Sequence, residues 1–548
     1  MLNSQSKSPN RLSRWLKFFI VFVLVIGIFL RFAGLDKKVY WLDEVATSFR
    51  LGGYTITEVS QQVYDGKIKA IGDLQKYQKT DPEKNLASTV QSLIVDDSQH
   101  TPLYYIMVRL WAELVGNAPA LLRILSVAIS LLIFPCFYWL CLELSDSVIF
   151  SWIVLALTSV SLLHITYAQE AREYSLWIVT ILFSSTSFLR ALRLQTKLSF
   201  GIYTASIILG FYTFPLTGLV LLGQAIYVAV VEKLRLTKTS IYFLISSTIG
   251  ILFFLPWIAI LLTNSSRVSA TTSWMYKNNS LQDLIYIWSV NLTLVLVHYS
   301  RFRIFFLILF LYSLYLLYRK SSQRIWLFIL TLTAPTLITF TLSDLFFKTS
   351  LSFTPRYLWP FLIGTQLVFA YALSYTIETS NSNENWLKRN WLKTTGILFF
   401  TLTLIVSSSV PISSVIGSNN SQFHLAADII NKSNSPLIVS FINNKKNIAI
   451  ADIGEDIGDI GDIFSLSYLI QDKTKVLLFK QPNIPEIPKG FSDIFMFYVY
   501  KTKVAEKEPD LQGIINQGYQ LEPIVLKEGD KTILWKINMG NKSSVSLL

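Results

Sequence analysis

The sequence predicts an α-helical polytopic membrane protein of about eleven spans with a small α/β domain at its C-terminal end. Three observations predict it. Hydrophobic residues make up 52% of the 548 residues and charged residues only 15%, where a soluble domain carries roughly 25% charged residues. The apolar residues fall into long runs that approach the roughly 20 residues a bilayer-crossing helix needs. Beyond about Pro411 the long runs give way to short alternating segments of β type.

In chain order, the first run extends from Phe18 to Phe32 behind Lys7, Arg11, Arg14 and Lys17. That basic flank places the N-terminus in the cytoplasm. No small-residue cleavage site follows the run, so it reads as a retained anchor rather than a signal peptide. Residues 35–118 then form a long non-cytoplasmic loop. The loop ends in HTPLYYIMVRLWAELVG, an apolar stretch better suited to a helix along the membrane face than to a span. Further runs lie near 120–141, 149–167, 173–189, 200–214, 216–231, 241–262, 302–318, 325–343, 357–376 and 394–413. Counted alternately, these spans put four basic clusters on the cytoplasmic side: Arg190/Arg193/Lys197, Lys233/Arg235/Lys238, Arg319/Lys320/Arg324 and Lys388/Arg389/Lys393. The count and the positive-inside rule therefore agree. This distribution accounts for the net charge of +13 and argues against a nucleic-acid partner. Cys136 and Cys141 lie within one apolar run and offer no disulfide framework.

Two domains follow: a membrane domain, 1–413, and a tail, 414–548. The tail alternates the strand-like runs PLIVSF, KVLLF, DIFMFYVY and KTILWKI with a helical patch at LAADIINK. Within it, IGEDIGDIGDIF is a short acidic repeat expected to form a surface loop.

Four polar features fall on one outer face under this topology. They are the adjacent carboxylates Asp43 and Glu44, His100, the stretch Tyr167–Tyr174 with Gln169, Glu170 and Arg172, and the pair Arg356–Tyr357. Each alone has an ordinary explanation: a solvated loop start, an N-cap histidine, an exposed turn, an arginine snorkelling to headgroups. Together they offer a carboxylate base, a second carboxylate for a hydrogen bond or a metal, and arginines, which grip phosphate bidentately. Neighbouring residues on a helix or strand cannot point the same way. One of Asp43 and Glu44 thus faces the reacting centre and the other supports it, and the local sequence alone does not rank them. A divalent metal ion is the one cofactor left open. No nucleotide-binding glycine loop is visible.

With these residues in place, the chain resembles the GT-C superfamily of polytopic glycosyltransferases. The closest likeness is to the branch of the protein O-mannosyltransferases and the bacterial aminoarabinose transferase of lipid A. The resemblance is carried by RFAGL and WLDEVAT after the first helix, HTPLYYIMVRLW followed by LLRILSV, YAQEAREYSLW and TPRYLWP, and spans about residues 14–370. The family usually has a second proline where Thr101 stands, and the tail is not covered. The resemblance implies transfer of a sugar from a polyprenyl-phosphate donor to a lipid, protein or glycan acceptor, with inversion, within the lipids of the plasma (inner) membrane. By it, Asp43 is the base and Arg172 faces the carrier phosphate. Glu44, His100, Gln169, Glu170 and Arg356 are carried over more loosely, with Tyr357 in support. The active site and the tail would lie outside the cytoplasm.

Two other function classes fit part of the pattern. A lipid or polysaccharide transporter would carry charges at the membrane midplane and a repeat between its halves. Here the charges sit at loop–helix junctions on one face, and no repeat is visible. A non-catalytic glycan-binding scaffold would have no need of Asp43 and both arginines.

The topology makes a first prediction. A cysteine introduced on the surface of the tail is expected to react with a membrane-impermeant reagent from the non-cytoplasmic side. Labelling from the cytoplasmic side alone would overturn the assignment.

Overall fold

The computed structural model of the chain describes residues 14–145, 147–296, 303–382, 422–443, 453–500, 511–527 and 531–539. The first run is helix α1 (Arg14–Phe32), and the loop behind it opens with helix α2 (Leu42–Gly52). HTPLYYIMVRLW forms α3 (Pro102–Val115). The bundle continues with α4 (Pro119–Leu131), α5 (Ile133–Leu144), α6 (Val148–Val160), α7 (Leu162–Ala168), α8 (Tyr174–Leu194), α9 (Lys197–Thr213) and α10 (Thr217–Val231). It is completed by α11 (Lys238–Thr263), α12 (Ser265–Thr271), α13 (Leu281–Asn291), α14 (Arg303–Lys320), α15 (Gln323–Phe346) and α16 (Trp359–Ser382). Of the eleven apolar runs, the one near 394–413 lies outside the described residues; the other ten fall on these helices. By length and composition alone, five helices among the described residues are fit to cross a membrane: Pro119–Leu144, Tyr174–Leu194, Lys238–Thr263, Gln323–Phe346 and Trp359–Thr379. The pair α6–α7, bent by 62°, makes a sixth if counted as one span.

The bend has a chemical consequence. The last carbonyls of a helix have no intrahelical donor, and those of α6 are buried. Arg31 supplies the donors. Its guanidinium, fully buried, donates to Thr158 O at 3.0 Å, Ser159 O at 3.0 Å and Gly27 O at 2.8 Å, tying α1 to α6. The contact requires glycine: a Cβ at Gly27 would stand 2.2 Å from Ser159 O. Gly223 of α10 meets α15 in the same way, 2.0 Å from Thr331 O. Such small residues let helix backbones touch, the usual packing inside a bilayer.

The tail builds on a six-stranded sheet of order β1-β3-β2-β4-β6-β5. The strands are β1 (Ile68–Ala70), β2 (Pro436–Asn443), β3 (Lys475–Gln481), β4 (Asp493–Tyr500), β5 (Tyr519–Lys527) and β6 (Lys531–Met539). β2 pairs in parallel with β3 and β4, and the remaining pairs are antiparallel. The strand β1 comes from the first loop and pairs with β3, Ile68 opposite Leu477. The first loop thus contributes an edge strand to the tail's sheet. LAADIINK forms helix α17 (Gln422–Lys432).

One expectation is corrected. IGEDIGDIGDIF is not a surface loop but helix α18 (Ile453–Leu466), with Ile460, Ile463, Phe464 and Leu466 buried. Its isoleucines recur every three or four residues, which is the period of an amphipathic helix. α18 packs on the sheet with one side and on α2 with another.

Gly27→Val and Gly223→Val are each expected to lose about 1–3 kcal/mol of stability through overpacking. The measurement is the thermal unfolding midpoint of the purified protein in detergent. An unchanged midpoint would mean these helices do not meet backbone to backbone.

Candidate active site

Helix α2 sets the geometry. It starts after Trp41 with two carboxylates in its first turn, where the positive end of the helix dipole favours negative charge. It stops at Gly53, whose left-handed φ of 76° lets its N–H reach the carbonyls of the last turn. Consecutive residues of a helix point about 100° apart, and this separates Asp43 from Glu44.

Asp43 faces a cavity of about 320 Å³. Its Oδ2 accepts a hydrogen bond from Arg356 Nη1 at 2.7 Å. Arg356 comes from the short turn Pro355–Tyr357 ahead of α16, and the loop before that turn is held by Asp344, which accepts from Leu351 N and Ser352 N. The rings of Trp41, Tyr174, Trp274 and Tyr357 stand 5.4–5.9 Å from its guanidinium. Burial works against its charge, but Tyr174 and Asp43 outweigh burial and hold its pKa well above the usual arginine value.

Glu44 turns the other way. It is fully buried and forms a two-point ion pair with Arg123 of α4, at 2.8 and 2.6 Å. Its carboxylate also accepts from Ala171 N at 2.9 Å and Trp41 N at 3.4 Å.

Arg172 belongs to the turn between α7 and α8 and lines the cavity. Its Nη1 donates to Asp43 O and Thr47 Oγ1, and its Nη2 lies 3.1 Å from His100 Nε2. His100 Nδ1 is 2.7 Å from Glu173 Oε1, which fits the tautomer with the proton on Nδ1, donating to Glu173 and accepting at Nε2. Burial would raise the Glu173 carboxyl, but Arg172 and His100 outweigh it and hold its pKa at about 2.

The cavity therefore brings together Asp43, His100, Arg172, Arg356 and Tyr357. Three predicted residues stand outside its lining. Glu44 is the Arg123 partner. Gln169 donates to Leu30 O and Ala33 O, fastening the α7–α8 turn to the end of α1. Glu170 is buried beside Lys38, 3.5 Å away; burial first, then Glu44 and Asp43, push its carboxyl up despite Lys38. Among the described residues no group of three or more His, Cys, Asp or Glu side chains is placed to hold a metal ion. Arg123 was missed by the sequence reading, its signal a lone charge inside the apolar LLRILSV; Glu173 was included in the polar stretch YAQEAREYSLW but read as part of an exposed turn and given no role.

Chemically, the cavity is lined by two carboxylates, Asp43 and Asp97, and three arginines, Arg50, Arg172 and Arg356. Arg50 is committed to the buried Asp96 at 2.6 Å and Asp97 accepts from Gln99, which leaves Asp43 to take a proton and Arg172 and Arg356 to receive negative charge. Apolar side chains, among them Phe214, Leu261 and Met275, complete its wall.

No protein-family model and no curated protein matches the chain. Among solved structures, it is similar to ArnT from Cupriavidus metallidurans bound to undecaprenyl phosphate, with 11% identity, a TM-score of 0.50, and 95% of this chain and 98% of that one covered. That likeness shows the fold alone, a polytopic helical architecture. The apo state of the same ArnT aligns over the same shares with a TM-score of 0.46. The apo oligosaccharyltransferase of Archaeoglobus fulgidus aligns with 10% identity and a TM-score of 0.45, over 82% of this chain and 65% of that one.

The buried Glu173 gives a pH prediction. Its carboxyl sits at about 2 in the fold, against about 4.3 in an unfolded chain. For a depressed acid the stabilisation is complete above the unfolded value and is lost as pH falls through the folded one. Stability is expected to decline on acidification from about pH 4.3 downward. Glu173→Gln should be less stable at neutral pH and lose part of that acid dependence in unfolding titrations. An identical acid profile for the variant would refute the assignment.

Proposed function

We propose that this protein is a membrane glycosyltransferase that moves a sugar from a polyprenyl-phosphate donor to an acceptor hydroxyl, with inversion at the sugar carbon. The observation that carries the reading is the cavity in which the Asp43 carboxylate stands with Arg356 and Arg172. The ArnT of like fold is described as bound to undecaprenyl phosphate, which supports a ligand of that chemistry here.

In this reading the acceptor oxygen forms a bond to the anomeric carbon while its proton passes to Asp43. The bond from that carbon to the phosphate oxygen breaks, and the leaving phosphate keeps the electron pair. Positive charge aimed at the leaving oxygen stabilises it most where water is excluded. Arg172 and Arg356 take that role, with His100 and Glu173 holding Arg172 in place. Glu44 takes no part in proton transfer, because both of its oxygens are engaged by Arg123 and the backbone. The active face, with the tail beside it, would lie outside the cytoplasm of a multi-pass protein of the plasma membrane. The domain division at residue 413 belongs to the same proposal, as does a divalent metal ion, for which no ligand residues are assigned.

Single-turnover transfer and donor binding test it with purified protein and a polyprenyl-phosphate sugar. Asp43→Asn is expected to lose about 10²–10⁴-fold in turnover, the usual contribution of a general base, with donor binding retained. Glu44→Gln should keep its turnover per folded molecule but lose about 3–5 kcal/mol of stability, because Arg123 is left buried without its charge. Arg172→Ala should weaken donor binding by about 1.5–3 kcal/mol. Movement of lipid without covalent transfer would instead make the protein a transporter.

A further inference from the structure

The tail reaches the cavity through one close contact. A Cβ at Gly461 of α18 would stand 2.0 Å from Leu42 Cδ1, 3.3 Å from its Cγ and 3.6 Å from its Cα. Gly461 is therefore a notch, and the Leu42 side chain is seated in it. Leu42 is the first residue of α2, lines the cavity, and is bonded directly to Asp43. Two ring contacts bracket the notch. Tyr40 meets Tyr468 edge-on at 5.3 Å, and Phe49 meets Phe464 edge-on at 4.9 Å. α18 also packs against α12, whose Thr271 lines the cavity. One tail helix thus backs two elements of the cavity wall, and the sheet backs the helix through β2 and β4.

We propose that α18 is a positioning element for Asp43, acting through the seat of Leu42 on Gly461; this rests on the proposed role of Asp43 as the base. The physical argument is one of tolerance. Asp43 is the second residue of α2, where the first turn has few backbone hydrogen bonds of its own. Glu44 is anchored by Arg123 on one side of the helix. The opposing contact comes from the tail, and the two together fix the rotation of α2 about its axis and so the direction of the Asp43 carboxylate. A side chain at position 461 would drive Leu42 out of its seat, toward the cavity it lines. A lone Cβ meets chiefly the Cδ1 end of Leu42, which a change of rotamer can move, whereas a branched side chain at 461 also reaches the leucine stem, whose Cγ and Cα lie 3.3 and 3.6 Å from the Cβ position. A displacement of about 1 Å at a reacting group can cost 10²-fold in rate, so a contact made by a distant domain acts directly on turnover.

The test compares wild type, Gly461→Ala, Gly461→Val and the double variant Gly461→Val/Leu42→Ala in the full-length protein. Two readouts are taken: hydrogen exchange of the α2 amides, and single-turnover transfer with donor binding. Gly461→Val is expected to speed exchange across α2 and to lower turnover by about 10²-fold, with donor affinity changed less than about threefold and Gly461→Ala falling between. Leu42→Ala in the valine background makes room for the new side chain and is expected to restore both readouts. This rescue distinguishes positioning from a general weakening of the tail. The proposal is overturned if α2 exchange and turnover in Gly461→Val match wild type, or if removing the Leu42 side chain restores neither. If wild type itself transfers no sugar, the glycosyltransferase reading fails, and the exchange readout alone decides whether the notch holds α2.

Discussion

The site depends on the ion pair between Glu44 and Arg123. Both side chains are withdrawn from water, at 0% and 1% exposure, and a buried pair is tolerated only when its remaining hydrogen-bonding capacity is filled. Here it is filled. All five N–H groups of Arg123 are engaged: Nε and one Nη2 proton with Glu44, the others with the carbonyls of Leu35, Lys38 and Val39. Glu44 in turn accepts from Ala171 and Trp41. Four separate pieces of chain meet at this pair: the segment that follows α1, the start of α2, the helix α4 and the α7–α8 turn. The elements that carry Asp43 and Arg172 are held in register by charges that never face the cavity.

The arrangement settles a difficulty inherent in adjacent carboxylates. Two negative charges converging on one point would raise a carboxyl pKa and weaken a base. α2 turns them apart and gives each its own arginine, Arg123 for Glu44 and Arg356 for Asp43. The pairing also explains why the glutamate is the inner member. Its longer stem spans the distance to Arg123 and still reaches back to the Trp41 N–H at the start of its own helix.

How much of this was legible in the sequence follows from the range of the interactions. The helices were legible because apolar run length is a local property, and ten of the runs fall on helices in the structure. The polar face was legible because Asp43, His100, Arg172 and Arg356 interrupt such runs in motifs. Their division into cavity-facing and buried residues was not, since Gln169 and Glu170 differ from Arg172 only by rotation within one turn. Arg123 was hidden because its partner is 79 residues away. β1 was hidden for the same reason: three residues of no marked β character gain their strand only by pairing with β3 some four hundred residues later. IGEDIGDIGDIF misled because its acidic residues suggest solvent, whereas the spacing of its isoleucines, which decides the outcome, is helical.

The ion pairs around the cavity are graded by exposure, and the grading bears on which charges an incoming ligand can engage. Arg50 with Asp96, and Arg123 with Glu44, have side chains exposed by 1% or less. Exchanging a partner there would strand a charge out of water, and the cost is several kcal/mol. Arg172 with Glu173 is nearly as closed, at 3% and 0%. Asp43 with Arg356 is different, at 19% and 16%, and both residues line the cavity. Water, or a ligand in its place, can compensate either member when the pair separates, so partner exchange costs least at this point. The sealed pairs therefore act as framework, and the Asp43–Arg356 pair places a carboxylate and a guanidinium where a polar ligand can take the place of either.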